Sequence, residues 1–411
     1  MRYCKNCILP DTRPGIALDE NGVCSACRNF ELRKTIDWTA REAAFEEVIA
    51  NAKQHSKGYD CLIPVSGGKD STWQVVKCLE KGLNPLCVTW KPPGRTQIGQ
   101  TNLDNLINLG VDHFDYSINP KTEKIFMLEA LRKYGSTGIP MHMALFNMPL
   151  KIALQFDIPL VIWGENSAFE YGDTSEEKMG FRLSKNWFKK FGVTHGTTAE
   201  DWVNDSLTRK MLTPYFGPDL DDLESRGVLA VFLGYYYEWD VETTRNVAME
   251  NGFKGNPSGA RTGIYDYADI DDDFISIHHY LKWYKFGCTR SFDNLSLEIR
   301  NGRRKRTDAL EIVREQGDCL PKDDIEKFCK FVGIKQKEFF KIIEPFRNLD
   351  IWYRDCDTWK MRDFLVTNFD WDRFYDINNN FNYYVIFTEC GKTIYGRMFE
   401  FRHQARSATI D

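Results

Sequence analysis

Seven residues, Val65-Ser66-Gly67-Gly68-Lys69-Asp70-Ser71, constrain this chain more tightly than any other stretch. They follow an apolar run, residues 59–65, that reads as a short buried strand. They lead into residues 71–79, whose apolar side chains at 73, 75, 76 and 79 share one face of a helix. A strand, a Ser-Gly-Gly turn and a helix N-terminus together make an anion cradle. The glycines let backbone N–H groups approach an oxyanion, and the first helical turn adds free donors and the positive end of its dipole. Pyrophosphate is the expected guest.

The common nucleotide P-loop requires Gly-x-x-x-x-Gly-Lys-Ser/Thr. Here Ile63 stands where its first glycine would be, and Asp70 intervenes between Lys69 and Ser71. The motif instead resembles the Ser-Gly-Gly-x-Asp-Ser loop of the PP-loop ATP-pyrophosphatases, which split ATP between the α and β phosphates. That resemblance implies ATP contacts at Ser66, Gly67, Gly68, Lys69, Asp70, Ser71 and Thr72, with Thr89 on the following strand. Lys69 is expected to hold charge on departing pyrophosphate, and Asp70 and Ser71 to position the loop and a Mg²⁺–phosphate unit.

The N-terminus carries a second signal. Cys4-Lys5-Asn6-Cys7 and Cys24-Ser25-Ala26-Cys27 are two Cys-x-x-Cys pairs separated by sixteen residues. Four thiolates on two tight turns suit tetrahedral Zn²⁺ in a closed structural site at Cys4, Cys7, Cys24 and Cys27. The intervening Pro10, Pro14, Gly15 and Gly22 are too irregular for a core of their own, so the metal supplies folding energy. An Fe–S cluster and four unrelated thiols are the alternatives.

A chain of 411 residues, 42% hydrophobic, can hold two or three structural units. No apolar run approaches the roughly 18 residues of a membrane span, and Met1-Arg2-Tyr3-Cys4 opens no signal peptide. A cytoplasmic location without membrane attachment is therefore expected, and the twelve cysteines are expected as metal ligands or buried thiols. The net charge of −5 argues against a broad nucleic-acid surface.

Strands and helices then alternate. Residues 38–57 read as a helix; 83–90, 113–117 and 160–163 as strands; 101–109 (capped at Gly110), 122–134 and 141–156 as helices; and 228–236 as a fifth strand. This pattern predicts an α/β doubly wound parallel sheet, Rossmann-like, with ligands at the C-terminal strand ends. The expected organisation is a zinc ribbon over 1–35, a PP-loop ATP-pyrophosphatase domain over 36–245, and a mainly helical substrate-binding region over 246–411 with a small strand-containing tail.

The fourth strand runs into Gly164-Glu165-Asn166, similar to a Gly-His-Asn loop that faces the nucleotide in the PP-loop superfamily, with Glu in place of His. Gly164 and Asn166 are expected at the nucleotide. Glu165 and Glu170 are candidates for holding Mg²⁺ or for managing the proton of an incoming amine. The cysteine ribbon, residues 63–71, residues 162–166 and the runs 279–287 and 299–303 together resemble the N-acetyl sugar amidotransferases of surface-polysaccharide (lipopolysaccharide O-antigen) and nonulosonic-acid pathways. The resemblance, reaching to about residue 350, implies conversion of an acetamido group on a nucleotide-activated sugar into an acetamidino group. AMP would be transferred to the amide oxygen, and ammonia would then displace it.

No cysteine is N-terminal or lies in a Gly-x-Cys-x-Gly elbow, so the chain has no glutaminase signature of its own. The resemblance implies a separate glutaminase subunit, in some pathways with a cyclase-like channelling subunit. Among basic residues, Arg261 in a donor-rich loop and Arg290, Arg300 and Arg303 in the densest basic region are candidates for gripping the sugar nucleotide's phosphates. The acidic run Asp269–Asp273 reads as solvated surface. His142, His278 and His279 read as core or surface residues rather than a metal set.

A competing reading is a tRNA-modifying PP-loop enzyme with a zinc ribbon, acting by base thiolation or amidation. Thiolases of that kind carry catalytic cysteines in the ATPase domain. Here Pro140–Asn147 occupies the comparable place, and no cysteine lies between Cys87 and Cys288.

Overall fold

The computed structural model describes residues 1–164, 180–183, 187, 193–356 and 358–372, and the backbone of a hairpin at 384–389 and 392–397. Five parallel strands form the central sheet: β1 (Cys61–Pro64), β2 (Pro85–Trp90), β3 (Asp112–Tyr116), β4 (Leu160–Trp163) and β5 (Leu229–Phe232). Their order is β3-β2-β1-β4-β5. Leu62 of β1 pairs with Leu86 on one side and Val161 on the other. The chain therefore reverses its winding between β1 and β4, which opens a crevice where their C-terminal ends diverge.

Burial follows from this layout. Every residue of β1, β2 and β4 is buried, as helix-covered parallel strands require, whereas edge strand β3 is largely exposed. Helices α1 (Ser25–Arg33), α2 (Trp38–His55), α3 (Lys69–Glu80), α4 (Gln97–Ile107), α5 (Pro120–Tyr134) and α6 (Gly138–Gln155) fill the first half of the chain. Several element boundaries shift by a few residues, and two of these shifts have a visible cause. Helix α4 begins earlier than expected because Thr96 accepts the Gly99 N–H as its cap, and it ends at Ile107 with Asn108, rather than Gly110, as its C-cap. The fifth strand is shorter than 228–236, since Leu233–Tyr236 turns into a helical segment whose Gly234 N–H bonds Gly164 O at 2.9 Å.

The N-terminal ribbon packs into the same core as the C-terminal helices. Cys4, Cys7, Ile8, Leu9, Cys24 and Cys27 share one buried cluster with Ile277, Tyr280, Phe292, Phe328 and Phe339. Polar ties reinforce the contact. Thr12 Oγ1 donates to Phe286 O at 2.6 Å, Arg13 Nε reaches Asp293 Oδ1 at 2.6 Å, and Arg306 Nε donates to Cys7 O at 3.0 Å. Past residue 350, antiparallel pairs form at Trp352–Asp355 with Thr358–Met361 and at Tyr384–Glu389 with Lys392–Arg397, the strand-containing tail. Among the described residues no helix is long and apolar enough to cross a membrane.

Candidate active site at the switch point of the sheet

The cradle forms as its residue types dictate. Gly67 has φ +84°, and a Cβ there would lie 2.6 Å from the backbone nitrogen of Leu103, so only glycine fits between loop and α4. Gly68 caps α3 in extended conformation with no side-chain cap, which leaves the first-turn donors for an anion. The loop also braces itself. The Gly68 N–H donates to Ser66 Oγ at 3.2 Å, and Ser71 Oγ and Thr72 Oγ1 both donate to Gly68 O at 3.0 Å.

Lys69 is only 6% exposed, its Nζ 2.5 Å from Asp70 Oδ2 and 5.3 Å from the centre of the Trp239 ring. Trp239 Nε1 donates to Asp70 Oδ1 at 3.0 Å, which fixes the carboxylate at the mouth of the loop. Thr89 Oγ1 donates to Val65 O at 2.7 Å, leaving its oxygen to accept from His113 Nε2 at 2.8 Å. Burial lowers the His113 pKa, consistent with a neutral ring in that role. Across the crevice, Gln74 Nε2 donates to Ile162 O at 2.5 Å, tying α3 to β4 beside Gly164. Glu165, Asn166 and Glu170 lie outside the described residues.

Ser66, Gly68, Lys69, Asp70 and Thr89 line a cavity of about 420 Å³, a volume suited to substrate-sized ligands. Met141, Leu145 and Ile275 give it an apolar side, and Trp239, Tyr265 and Tyr267 an aromatic one. Among the described residues no cysteine lines it.

The opposite wall corrects a sequence expectation. The run Asp269–Asp273 is not solvated surface: Asp272 is 7% exposed, and Asp269, Asp271 and Asp272 line the cavity. The run is zipped to the loop after β2. Thr96 N–H bonds Asp271 O at 3.1 Å, Asp273 N–H bonds Gly94 O at 2.8 Å, and Thr96 Oγ1 donates to Ile270 O at 2.5 Å. Gly94 permits this approach, because a Cβ there would meet Asp272 Oδ1 at 2.5 Å.

The three carboxyls differ electrostatically. Burial pushes Asp272 up to about 7, although the Phe274 N–H works against it. Burial also raises Asp271, which contacts Ser66. Burial would raise Asp269 too, but the neighbouring Arg290 guanidinium and His279 prevail and hold it well below the usual carboxylate range. Behind this wall Glu123 accepts from Trp90 Nε1 at 3.0 Å and is pushed by burial to about 8.

Of the four arginines expected to bind phosphates, Arg290 lines the cavity, its Nε 3.2 Å from Asp269 Oδ2. The other three do not line it. Arg261 is bound to Asp273 and Asp324, and Arg303 to Asp240 and Glu298, so much of their charge is already neutralised. Arg300 stands at the end of the helix Arg290–Arg300. Arg95, Trp239, Tyr265, Tyr267, Asp271 and Asp272 line the cavity without having been singled out as site residues. The strongest available signal was Gly94-Arg95 directly after a strand end, where the switch-point rule places ligands.

The ribbon's sulfurs converge as their spacing predicts. The four ligand atoms lie within 4.8 Å of one another, with Cys7 Sγ 3.6 Å from Cys24 Sγ and Cys4 Sγ 3.9 Å from Cys27 Sγ. Backbone N–H groups of Cys7, Leu9, Cys24 and Cys27 point at these sulfurs at 3.2–3.5 Å, the pattern that stabilises thiolates around a metal. The donor set fits Zn²⁺. Among the described residues no other group of three or more His, Cys, Asp or Glu side chains converges this way. Asp70 and Asp271 flank the loop, enough carboxylate for a Mg²⁺ ion that takes most of its oxygens from phosphates and water. His142 and His278 are neighbours at the packed interface of α6 with the helix Ile275–Phe286, and burial lowers both pKa values.

Residues 262–365 match the family model described as "LPS biosynthesis protein WbpG-like, C-terminal domain". The match supports the resemblance at the level of surface-polysaccharide (LPS) biosynthesis and includes the whole acidic run Asp269–Asp273. No curated protein matches the chain. Among solved structures the chain is similar to NMN synthetase from Francisella tularensis, at 13% identity over 69% of this chain and 96% of that one, with a TM-score of 0.33.

Proposed function

We propose that this protein is an ATP-dependent, AMP-forming amidotransferase of surface-polysaccharide biosynthesis, which converts the acetamido group of a nucleotide-activated sugar into an acetamidino group. The observation that carries this reading is the charge layout of one cavity. A pyrophosphate cradle with Lys69 stands at one side, Asp271 and Asp272 stand at the other, and among the described residues no thiol lies between them.

The chemistry needs both sides. An amide carbonyl is too poor an electrophile for ammonia, so its oxygen first attacks the α-phosphorus of ATP and pyrophosphate departs. The loop N–H groups and Lys69 would take up charge on that leaving group from preset positions. Mg²⁺ would neutralise phosphate charge beside Asp70. Ammonia then adds to the imidate carbon, AMP leaves with the former amide oxygen, and the amidine takes up a proton. Positive charge develops on nitrogen during that addition, and the Asp271–Asp272 wall is its electrostatic complement. Met141, Leu145, Ile275 and Trp90 would keep water from the imidate, which otherwise hydrolyses to the starting amide.

Several roles belong to this proposal. Glu165 and Asn166 take their nucleotide role from the sequence resemblance alone, Arg290 contacts the sugar nucleotide, and ammonia comes from a separate glutaminase, with or without a cyclase-like channel. Glutamine-dependent turnover by the purified chain alone would remove the need for such a partner. The tRNA-thiolation alternative fares worse because no described residue of the cavity is a sulfur carrier and one wall is acidic.

The test incubates the chain with ATP, Mg²⁺, ammonium and acetamido sugar nucleotides. The expected products are AMP and a sugar nucleotide about one mass unit lighter, oxygen having been exchanged for NH. AMP formation that requires tRNA instead would overturn the sugar reading.

A further inference from the structure

Arginines around the cavity are almost all engaged with carboxylates. Arg95 meets Asp115 through two contacts of 2.7 Å, Arg290 is held by Asp269, and Arg303 by Asp240 and Glu298. Arg245 differs. It lies one helical turn beyond Val241, which lines the cavity, and its half-buried guanidinium makes no hydrogen bond or ion pair among the described residues. Its Nε is fully buried without a partner. Glu242, the nearest acid on the same helix, lies 3.6 Å from Arg303 instead.

What orients Arg245 is aromatic. Its guanidinium carbon sits 5.1 Å from the centre of the Tyr267 ring. Tyr267 in turn stacks on Tyr265 with centroids 4.9 Å apart, and the Tyr265 hydroxyl donates to Glu298 at 2.5 Å. Both tyrosines line the cavity, and burial keeps the Tyr267 phenol protonated and able to donate. A partly desolvated guanidinium without a counter-ion carries a cost that an incoming anion removes. A planar fork seated on an aromatic ring is already arranged for two phosphate oxygens. The phosphates of ATP have their own cradle on the loop and the start of α3, so this second site suits a different phosphate ester.

We propose that Arg245, seated on Tyr267, anchors the diphosphate of the nucleotide-activated sugar and sets its acetamido end toward the Ser66–Ser71 loop. The ligand's identity rests on the amidotransferase reading above; the anion site itself does not. Arg245 is a binding residue, and its loss acts on affinity for the sugar nucleotide while ATP binding stays as it was.

The experiment titrates the full-length, zinc-loaded chain calorimetrically with UDP, GDP and dTDP while a non-hydrolysable ATP analogue saturates the loop. The wild type is expected to bind at least one of these nucleoside diphosphates. Arg245→Ala should weaken that binding about tenfold or more. Arg245→Lys should fall between them, and Lys254→Ala, at an exposed neighbouring cation, should match the wild type. Affinity for the ATP analogue and the melting temperature should not change in Arg245→Lys. Nucleoside diphosphate affinity that is unchanged in Arg245→Ala, or absent in the wild type up to millimolar concentration, would overturn the assignment. A CMP affinity equal to that of the diphosphates would overturn the diphosphate specificity. Arg245-dependent binding without any AMP formation from acetamido sugar nucleotides would sink the amidotransferase reading and leave the anchor standing.

Discussion

The sheet-side wall of the cavity is held by local backbone geometry, whereas the facing wall is held by contacts between distant parts of the chain. On the first side, Gly68, Ser71 and Thr72 organise one another within five positions. On the second, Asp293 is fully buried and receives Arg13 of the ribbon at 2.6 Å and Lys282 at 3.2 Å, while Asp269 holds Arg290. Arg290 also approaches Asp293 at 3.7 Å, so the ribbon reaches the candidate site through charge, although none of its cysteines lines the cavity. A change on the loop side should remove chemistry and leave the fold. A change among the ion pairs or sulfurs should loosen the fold first.

The largest effect is expected from Cys24→Ala. Removing one thiolate should release the metal, and because the ribbon and C-terminal helices share a core, unfolding free energy should fall by about 5 kcal/mol or more. Metal content and a thermal melt check this. An unchanged melt of the metal-free chain would break the claim that the ribbon supports the far wall.

Lys69→Ala comes next and sharpens the contrast. AMP formation should drop about 10³-fold, roughly 4 kcal/mol of transition-state stabilisation. The melting temperature should barely move. A large fall in melting temperature would mean that the loop is structural as well.

Asp293→Ala leaves Arg13 and Lys282 without their shared buried partner and should cost about 3 kcal/mol in a denaturant titration. Burial would raise the Asp293 pKa, but the three surrounding cations hold it well below the usual carboxylate range. Its stabilisation is therefore present above the ordinary carboxylate pKa and lost as pH falls through the depressed folded value. The variant should lose less stability on acidification than the wild type.

These differences also explain what could be read in the sequence. The loop and β1, β2 and β4 were legible because neighbours along the chain create them: an apolar run, two glycines, a helical period. The cysteine convergence was legible because a tetrahedral metal imposes its own spacing. The acidic run was misread because composition favours solvent for five residues rich in aspartate. Only the pairing of residues 270–273 with Gly94–Thr96 turns them inward, and that pairing joins segments far apart in sequence. The arginines misled for a related reason. Arg261 and Arg303 are as basic as expected, but tertiary contacts had supplied their counter-ions, while Arg245 stood outside any basic run.

The effect with least bearing on stability at a single pH concerns Glu123, which is read from the pH dependence. Its pKa is raised by burial to about 8 from 4.5, so its contribution to stability is full below the unfolded value and lost as pH rises through the folded one. Asp272, raised to about 7, adds in the same direction. Glu123→Gln should flatten the decline in stability between about pH 5 and pH 8, in denaturant titrations across that range. An unchanged decline would place the titrating group elsewhere.

The central claim is that the amide oxygen of the sugar is what receives AMP, and the direct measurement follows that oxygen. A sugar nucleotide carrying oxygen-18 in its acetamido carbonyl, turned over with ATP and ammonium, should yield AMP heavier by about two mass units and pyrophosphate without label. Unlabelled AMP, or label appearing in inorganic phosphate beside ADP, would contradict it.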